Sequence, residues 1–214
     1  MIISHRLKYM FVHLPKTGGT SIRILLNAND LFKVDVAGHW LGITEEEYRK
    51  FPKLTRKLMS HSKLIEGINY LQDEGYNHQE YFKFIFIRNP WDMMVSSYEY
   101  HKQILAKEEH IHKDNLAGVR SKNFKEFVKT RDPNYKNSFL LGDYTFDFVG
   151  KFENIEQDVQ TICKKILGDN YTHINVPHEN STIRGDYKEY YDDETKRMVE
   201  EKFAKIIELG HYNF

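Results

Sequence analysis

The chain has 214 residues, enough for one domain with a sizeable core and too few for two full enzymatic domains. Hydrophobic residues make up 40% and charged residues 29%, with 14 Phe, 14 Tyr and 2 Trp, which excludes disorder and collagen-like repeats and provides ample aromatic surface for a core. The 31 Lys and Arg balance the 31 Asp and Glu, so no global field draws the chain to nucleic acid or anionic lipid, and any anion site has to be local.

A single cysteine, Cys163, cannot form an internal disulfide, and no Cys/His cluster has the spacing of a structural zinc site, which points to a reducing compartment. Charges at Arg6 and Lys8 interrupt the amino terminus before an apolar stretch of leader length develops, and nowhere do 18 apolar residues run together. The chain as given reads as neither secreted nor membrane-spanning, and its expected location is cytoplasmic unless an amino-terminal anchor has been removed.

Along the chain, Tyr9 to Leu14 is a short apolar run that stops at Pro15, and Ile22, Leu25 and Leu26 then repeat at helical spacing. This predicts strand, tight loop, helix. Leu31 to Val36 reads as a second short strand, and Glu45 to Phe51 and Ser60 to Glu74 as helices separated by Pro52. Tyr81 to Ile87 is apolar at six of seven positions, the pattern of a strand covered on both faces in a parallel sheet. Pro90 then opens a helix, with Asn89 as N-cap and Trp91, Met94, Val95 and Tyr98 as its apolar stripe. Residues 102 to 123 read as an irregular excursion, Phe124 to Val128 as a short helix and Phe146 to Phe152 as a strand. Ile155, Val159, Ile162 and Ile166 predict a helix ending at Gly168, and a last helix spans about Asp192 to Leu209, with Gly210 as its stop. Strands alternating with helices imply an α/β fold, a central parallel sheet flanked by helices in a single domain over residues 1–214, with ligands beyond the carboxyl ends of strands.

Two strand-to-helix junctions carry chemistry. Pro15-Lys16-Thr17-Gly18-Gly19-Thr20-Ser21 joins two glycines, a lysine and three hydroxyls at a helix start. Backbone N–H groups can converge there on an anion, the helix dipole adds to them and Lys16 supplies a point charge. A Gly-rich turn with one exposed lysine is the plainer alternative. The order departs from the triphosphatase loop G-x-x-x-x-G-K-[ST], because Lys16 precedes the glycines. At the second junction, Arg88 ends the apolar strand and Ser96 lies eight residues on. A guanidinium fork and a hydroxyl facing one phosphate is one reading. Arg88 paired with Asp92 as a cap, beside a solvated Ser96, is the other.

Together, Lys16 to Ser21 and Arg88-Asn89-Pro90-x-Asp92-x-x-x-Ser96 resemble the two nucleotide-binding signatures of sulfotransferases that use 3′-phosphoadenosine 5′-phosphosulfate. The chain is most similar to the carbohydrate-directed branch with the uronyl 2-O-sulfotransferases. The likeness extends to residues 148–154, to Pro177-His178-Glu179-Asn180-Ser181, and from Tyr190 to Phe214. It implies that Lys16 to Ser21 hold the 5′-phosphosulfate end while Arg88 and Ser96 bind the 3′-phosphate. Lys16 would also neutralise the leaving oxygen, with no metal required. A near-neutral imidazole suits the proton-accepting role on an acceptor hydroxyl, and His39, in the region where related enzymes carry a base histidine, is the candidate. The expected partners are the nucleotide donor and a saccharide, with no nucleic acid. A magnesium- and ATP-dependent kinase and an inactive nucleotide- or glycan-binding module are the rivals.

Among the other candidates, Arg184 is an additional phosphate contact or a solvent-exposed residue. His13 reads as strand-bound and orienting the loop, the His110/His112 pair as solvated, and Glu153 as structural. His178 lies in a segment placed to close over nucleotide. Lys53, Arg56, Lys57 and Lys63 read as a solvated face or a contact for an acidic saccharide.

Overall fold

The computed structural model describes residues 1–39, 54–106, 123–140, 144–177 and 184–214. They form two compact units, Met1–Ile87 with Ser138–Glu179, and Arg88–Asn137 with Asn180–Phe214.

The first unit holds a six-stranded sheet in the order β4-β3-β1-β2-β5-β6, made of β1 (Ile2–Ser4), β2 (Tyr9–Val12), β3 (Val36–His39), β4 (Leu54–Met59), β5 (Phe82–Ile87) and β6 (Phe148–Lys151). The strands β2, β5 and β6 run parallel, as the apolar run at 81–87 predicts. The sheet as a whole is mixed rather than parallel throughout, because β1 pairs antiparallel with both β2 and β3. Its hairpin with β2 turns at residues 5–8, where Lys8 adopts a left-handed φ of 50°. A three-residue strand is too short to show a period in the sequence.

Side chains alternate across the strands. Tyr9, Phe11, Phe84 and Phe86 face one side, where they share a core with Ile22, Leu25 and Leu26 of α1 (Gly19–Ala28) and Val159, Ile162, Cys163 and Leu167 of α6 (Ile155–Leu167). On the other side, Met1 and Met10 lie under Gly67 of α2 (Leu64–Asp73), whose missing Cβ would come within 2.6–2.7 Å of their sulfurs. Both faces of β5 are therefore covered, which is why its run is apolar at every position but Lys83.

Two expectations change here. Leu31 and Phe32 lie in a 3-10 turn, Asp30–Phe32, rather than in a strand. The Asn29 side chain accepts the Leu31 N–H at 2.9 Å and starts that turn, which delivers Phe32 to the core. The segment 60–74 forms a shorter helix, α2, opened where the Glu66 carboxylate accepts the Lys63 N–H at 2.5 Å. The preceding β4 ends the sheet among the described residues, and its charged residues conceal its alternation in the sequence. The helix expected at 45–51 lies outside the described residues.

The second unit contains α3 (Pro90–Ala106), α4 (Phe124–Thr130), α5 (Pro133–Asn137), α7 (Asp193–Lys202) and α8 (Ala204–Gly210). The stripe on α3 is core, as its period predicts. Tyr98 packs edge-on to Phe124 and Phe127 with centroids 5.4 and 5.3 Å away, and the Trp91 indole N–H donates to the Lys196 carbonyl at 3.1 Å. The last helix is divided in two at buried Phe203. Just before the break, the Lys202 ammonium donates to the carbonyls of Val128, Lys129 and Arg131 at 2.7–3.0 Å and closes the carboxyl end of α4. Among the described residues no helix is long and apolar enough to cross a membrane.

Candidate functional site

Parallel pairing aligns two strand ends of the first unit. Val12 lies opposite Ile85, so β2 and β5 release the chain at the same edge of the sheet, β2 into residues 13–18 and β5 directly before Arg88.

In the first unit, the loop after β2 has left-handed backbone at Lys16 (φ 72°) and Gly18 (φ 75°). Alternating handedness turns successive N–H groups toward a common point, the geometry of an anion nest. Holding lysine there costs about 1–2 kcal/mol, strain of the kind that loops at functional sites retain. Gly18 is required twice over, since a Cβ would also meet Ile155 Cδ1 at 2.7 Å and Phe152 Cδ2 at 2.9 Å. At Gly19 a Cβ would lie 1.9 Å from the His13 ring. The Thr17 hydroxyl donates to the Leu14 carbonyl at 2.8 Å, and the residue is 1% exposed, so it braces the loop from within. Thr20 is exposed and Ser21 buried. Helix α1 begins with no side-chain cap and no acidic residue in its first turn, whereas Asn89, Asn123 and Asp192 cap α3, α4 and α7. The dipole of a helix start without an acidic residue favours an anion.

His13 is one residue past β2 rather than within it. Its ring is 5% exposed and packs at 4.3 Å from that of His61, whose Nδ1 lies 2.9 Å from the His13 carbonyl oxygen. Burial, followed by the nearby charges of His61 and Arg23, pushes the His13 pKa well below the usual histidine value. The imidazole is the neutral floor of the loop. The backbone of His39 closes β3, and its side chain lies outside what is described. The register between β3 and β4 shifts at Gly38/His39, where Gly38 leaves only 2.2 Å between a would-be Cβ and the Met59 carbonyl oxygen. Arg23 reaches the Gly38 carbonyl at 3.4 Å. Neither Arg23 nor His61 carries a sequence signal that separates it from ordinary helix and loop residues.

In the second unit, Asn89 caps α3 by accepting the N–H groups of Trp91 at 3.0 Å and Asp92 at 3.3 Å. Arg88 is ion-paired to Asp92, with Nε at 2.7 Å and Nη2 at 2.6 Å from Oδ2. Arg184 binds the other carboxylate oxygen of Asp92. The pair anticipated as a cap is thus present, enlarged to a trio whose formal charge is +1. Arg184 is 13% exposed along its side chain, which removes the solvent-exposed reading. Ser96 stands one further helical turn along the Arg88–Asp92 column and is 5% exposed, not a solvated helix residue. Glu153 lies in a 3-10 turn before α6, where Asp158 accepts the Lys151 N–H at 2.6 Å. His110, His112, His178, Ser181 and Lys53 lie outside the described residues. Among the described residues no cluster of three His, Cys, Asp or Glu is placed to hold a metal.

A model of the Sulfotransferase family matches residues 1–210. An uncharacterized protein of Archaeoglobus fulgidus is 33% identical over 93 residues, covering 40% of this chain and 68% of that protein. Mouse sulfotransferase SULT7A1, solved in complex with PAP, superposes with a TM-score of 0.53 at 11% identity over 95% of this chain and 86% of that one, a likeness of fold. A sulfotransferase from Alicyclobacillus acidocaldarius aligns over 97% of this chain and 96% of its own, at 16% identity and a TM-score of 0.39.

Proposed function

Since the chain belongs to the sulfotransferase family, we propose that it transfers a sulfuryl group from 3′-phosphoadenosine 5′-phosphosulfate to a hydroxyl of a carbohydrate, releasing adenosine 3′,5′-bisphosphate. The observation that carries this reading is the loop from Lys16 to Ser21, with its left-handed turns leading into an uncapped helix start. Such a loop suits a phosphosulfate, and Arg88, which follows the parallel strand β5, supplies a guanidinium for a second phosphate. The carbohydrate acceptor rests on the likeness of residues 148–154 and of the carboxyl-terminal segment to the uronyl branch. A single domain over residues 1–214 carries this activity.

In this mechanism the backbone N–H groups of residues 17–20 hold the 5′ end, and Arg88, Ser96 and Arg184 hold the 3′-phosphate. Lys16 neutralises charge on the bridging oxygen as its bond to sulfur breaks, an electrostatic role that needs no proton transfer. His39 accepts the proton of the acceptor hydroxyl as the new sulfur–oxygen bond forms.

Calorimetric titration with adenosine 3′,5′-bisphosphate tests the map. Lys16→Ala and Arg88→Ala should each weaken binding at least about tenfold, or about 1.4 kcal/mol, and full affinity in both variants would refute the assignment. His39→Ala should bind the bisphosphate as wild type does while turnover falls about 10²- to 10⁴-fold. Unchanged turnover would dismiss His39 as base, and magnesium-dependent ATP turnover without sulfuryl transfer would favour the kinase.

A further inference from the structure

The Asp92 carboxylate is shared between two arginines that arrive from distant parts of the chain. Its Oδ2 takes Nε and Nη2 of Arg88, four residues before it, and its Oδ1 takes Nη2 of Arg184, 92 residues after it. The three side chains are 10%, 15% and 13% exposed. Each carboxylate oxygen therefore serves one guanidinium, and none of the three has much water to replace the other two.

Guanidiniums gathered at one point in a poorly solvated setting repel each other. Without an anion between them, the pair would separate. Asp92 meets this need and is itself held firmly. Its N–H is bound by the Asn89 side chain at 3.3 Å, Pro90 fixes the backbone before it, and the first turn of a helix favours a carboxylate. The trio keeps a net charge of +1, and Ser96 follows one helical turn further along the same column. A phosphate dianion gains more from two preset forks than from one flexible arginine, because little ordering remains to be done on binding.

We propose that Asp92 is a positioning residue that joins Arg88 and Arg184 into one two-guanidinium receptor, and that this coupling gives the protein its preference for 3′-phosphorylated adenosine nucleotides. The inference rests on the sulfotransferase reading of Arg88 given above. Asp92 does not contact the nucleotide; it acts through the two arginines.

The test compares adenosine 3′,5′-bisphosphate with adenosine 5′-phosphate, by calorimetry on the full chain. Asp92→Asn keeps the shape but has a single oxygen, and its amide N–H groups point at one of the arginines. The expected result is at least tenfold weaker binding of the bisphosphate, with the 5′-phosphate unchanged within about twofold. Arg184→Ala should have the same selective effect, and the double variant should be no worse than the weaker single one, since the two residues act as a unit. Unchanged or tighter bisphosphate binding in Asp92→Asn would overturn the proposal, showing the carboxylate to be only a competing negative charge. Equal weakening of both nucleotides would also overturn it, in favour of a purely structural role. Should Asp92→Asn fail to fold, Arg184→Lys, which keeps the charge and loses the fork, must still weaken the bisphosphate selectively; wild-type selectivity there would overturn the proposal. Failure of the parent reading looks different: wild type would then not prefer the bisphosphate, and Arg88→Ala would have no effect.

Discussion

His13 carries the tightest electrostatic constraint near the loop. It is enclosed by Phe11, His61 and Gly19, and its Nδ1 has no hydrogen-bond partner among the described residues. Burial and neighbouring positive charge keep it neutral at pH values where a histidine in the unfolded chain, near 6.5, takes up a proton. Its contribution to stability is therefore complete above pH 6.5. Below that pH the unfolded chain binds more protons, and stability falls by up to about 1.4 kcal/mol per pH unit for the group. His5 is shifted in the same direction, by burial, so removing His13 should reduce the slope without abolishing it. Thermal melts of wild type and His13→Asn between pH 7 and 5 should show a shallower loss in the variant, and parallel curves would mean that His13 is protonated at little cost in the native state. In the sequence, His13 is visible only as a neighbour of the loop, because nothing local records that a ring will be shut beneath Gly19.

Among the elements, α1 shows packing overruling propensity. Alanine is the better helix former by about 1 kcal/mol, yet at Gly19 its methyl would collide with His13, and overpacking of this kind costs about 1–3 kcal/mol. Gly19→Ala should accordingly destabilise the protein in chemical denaturation. The double variant His13→Ala/Gly19→Ala should recover much of that loss, and a neutral or stabilising Gly19→Ala would show that the loop shifts freely. Elements with a strong period or cap were legible in the sequence: β5 from a run apolar at all positions but Lys83, α3 from Asn89-Pro90, α6 from its four spaced apolar residues and its Gly168 stop. Those governed by remote partners were not. The strands β1 and β4 exist through their pairing, and the break falls at Phe203, whose side chain is buried.

At the scale of the whole molecule, family membership and α/β class were readable from two short motifs at the ends of β2 and β5, because turn chemistry, capping and apolar runs are local properties that the sequence states directly. The same holds for the residue types of the proposed nucleotide site. The strand order, with β1 inserted antiparallel between β2 and β3, depends on hydrogen bonds between segments that carry no mark of each other. The union of Arg88 with Arg184 on Asp92 spans 92 residues of sequence separation and is equally silent in the primary structure. The sequence by itself determined which chemical groups stand at the strand ends and that a glycine-rich loop carrying Lys16 leads into α1. Only the tertiary structure decided which of those groups share a charge and which are shut away from water, because burial and long-range pairing are set by chain segments brought together on folding.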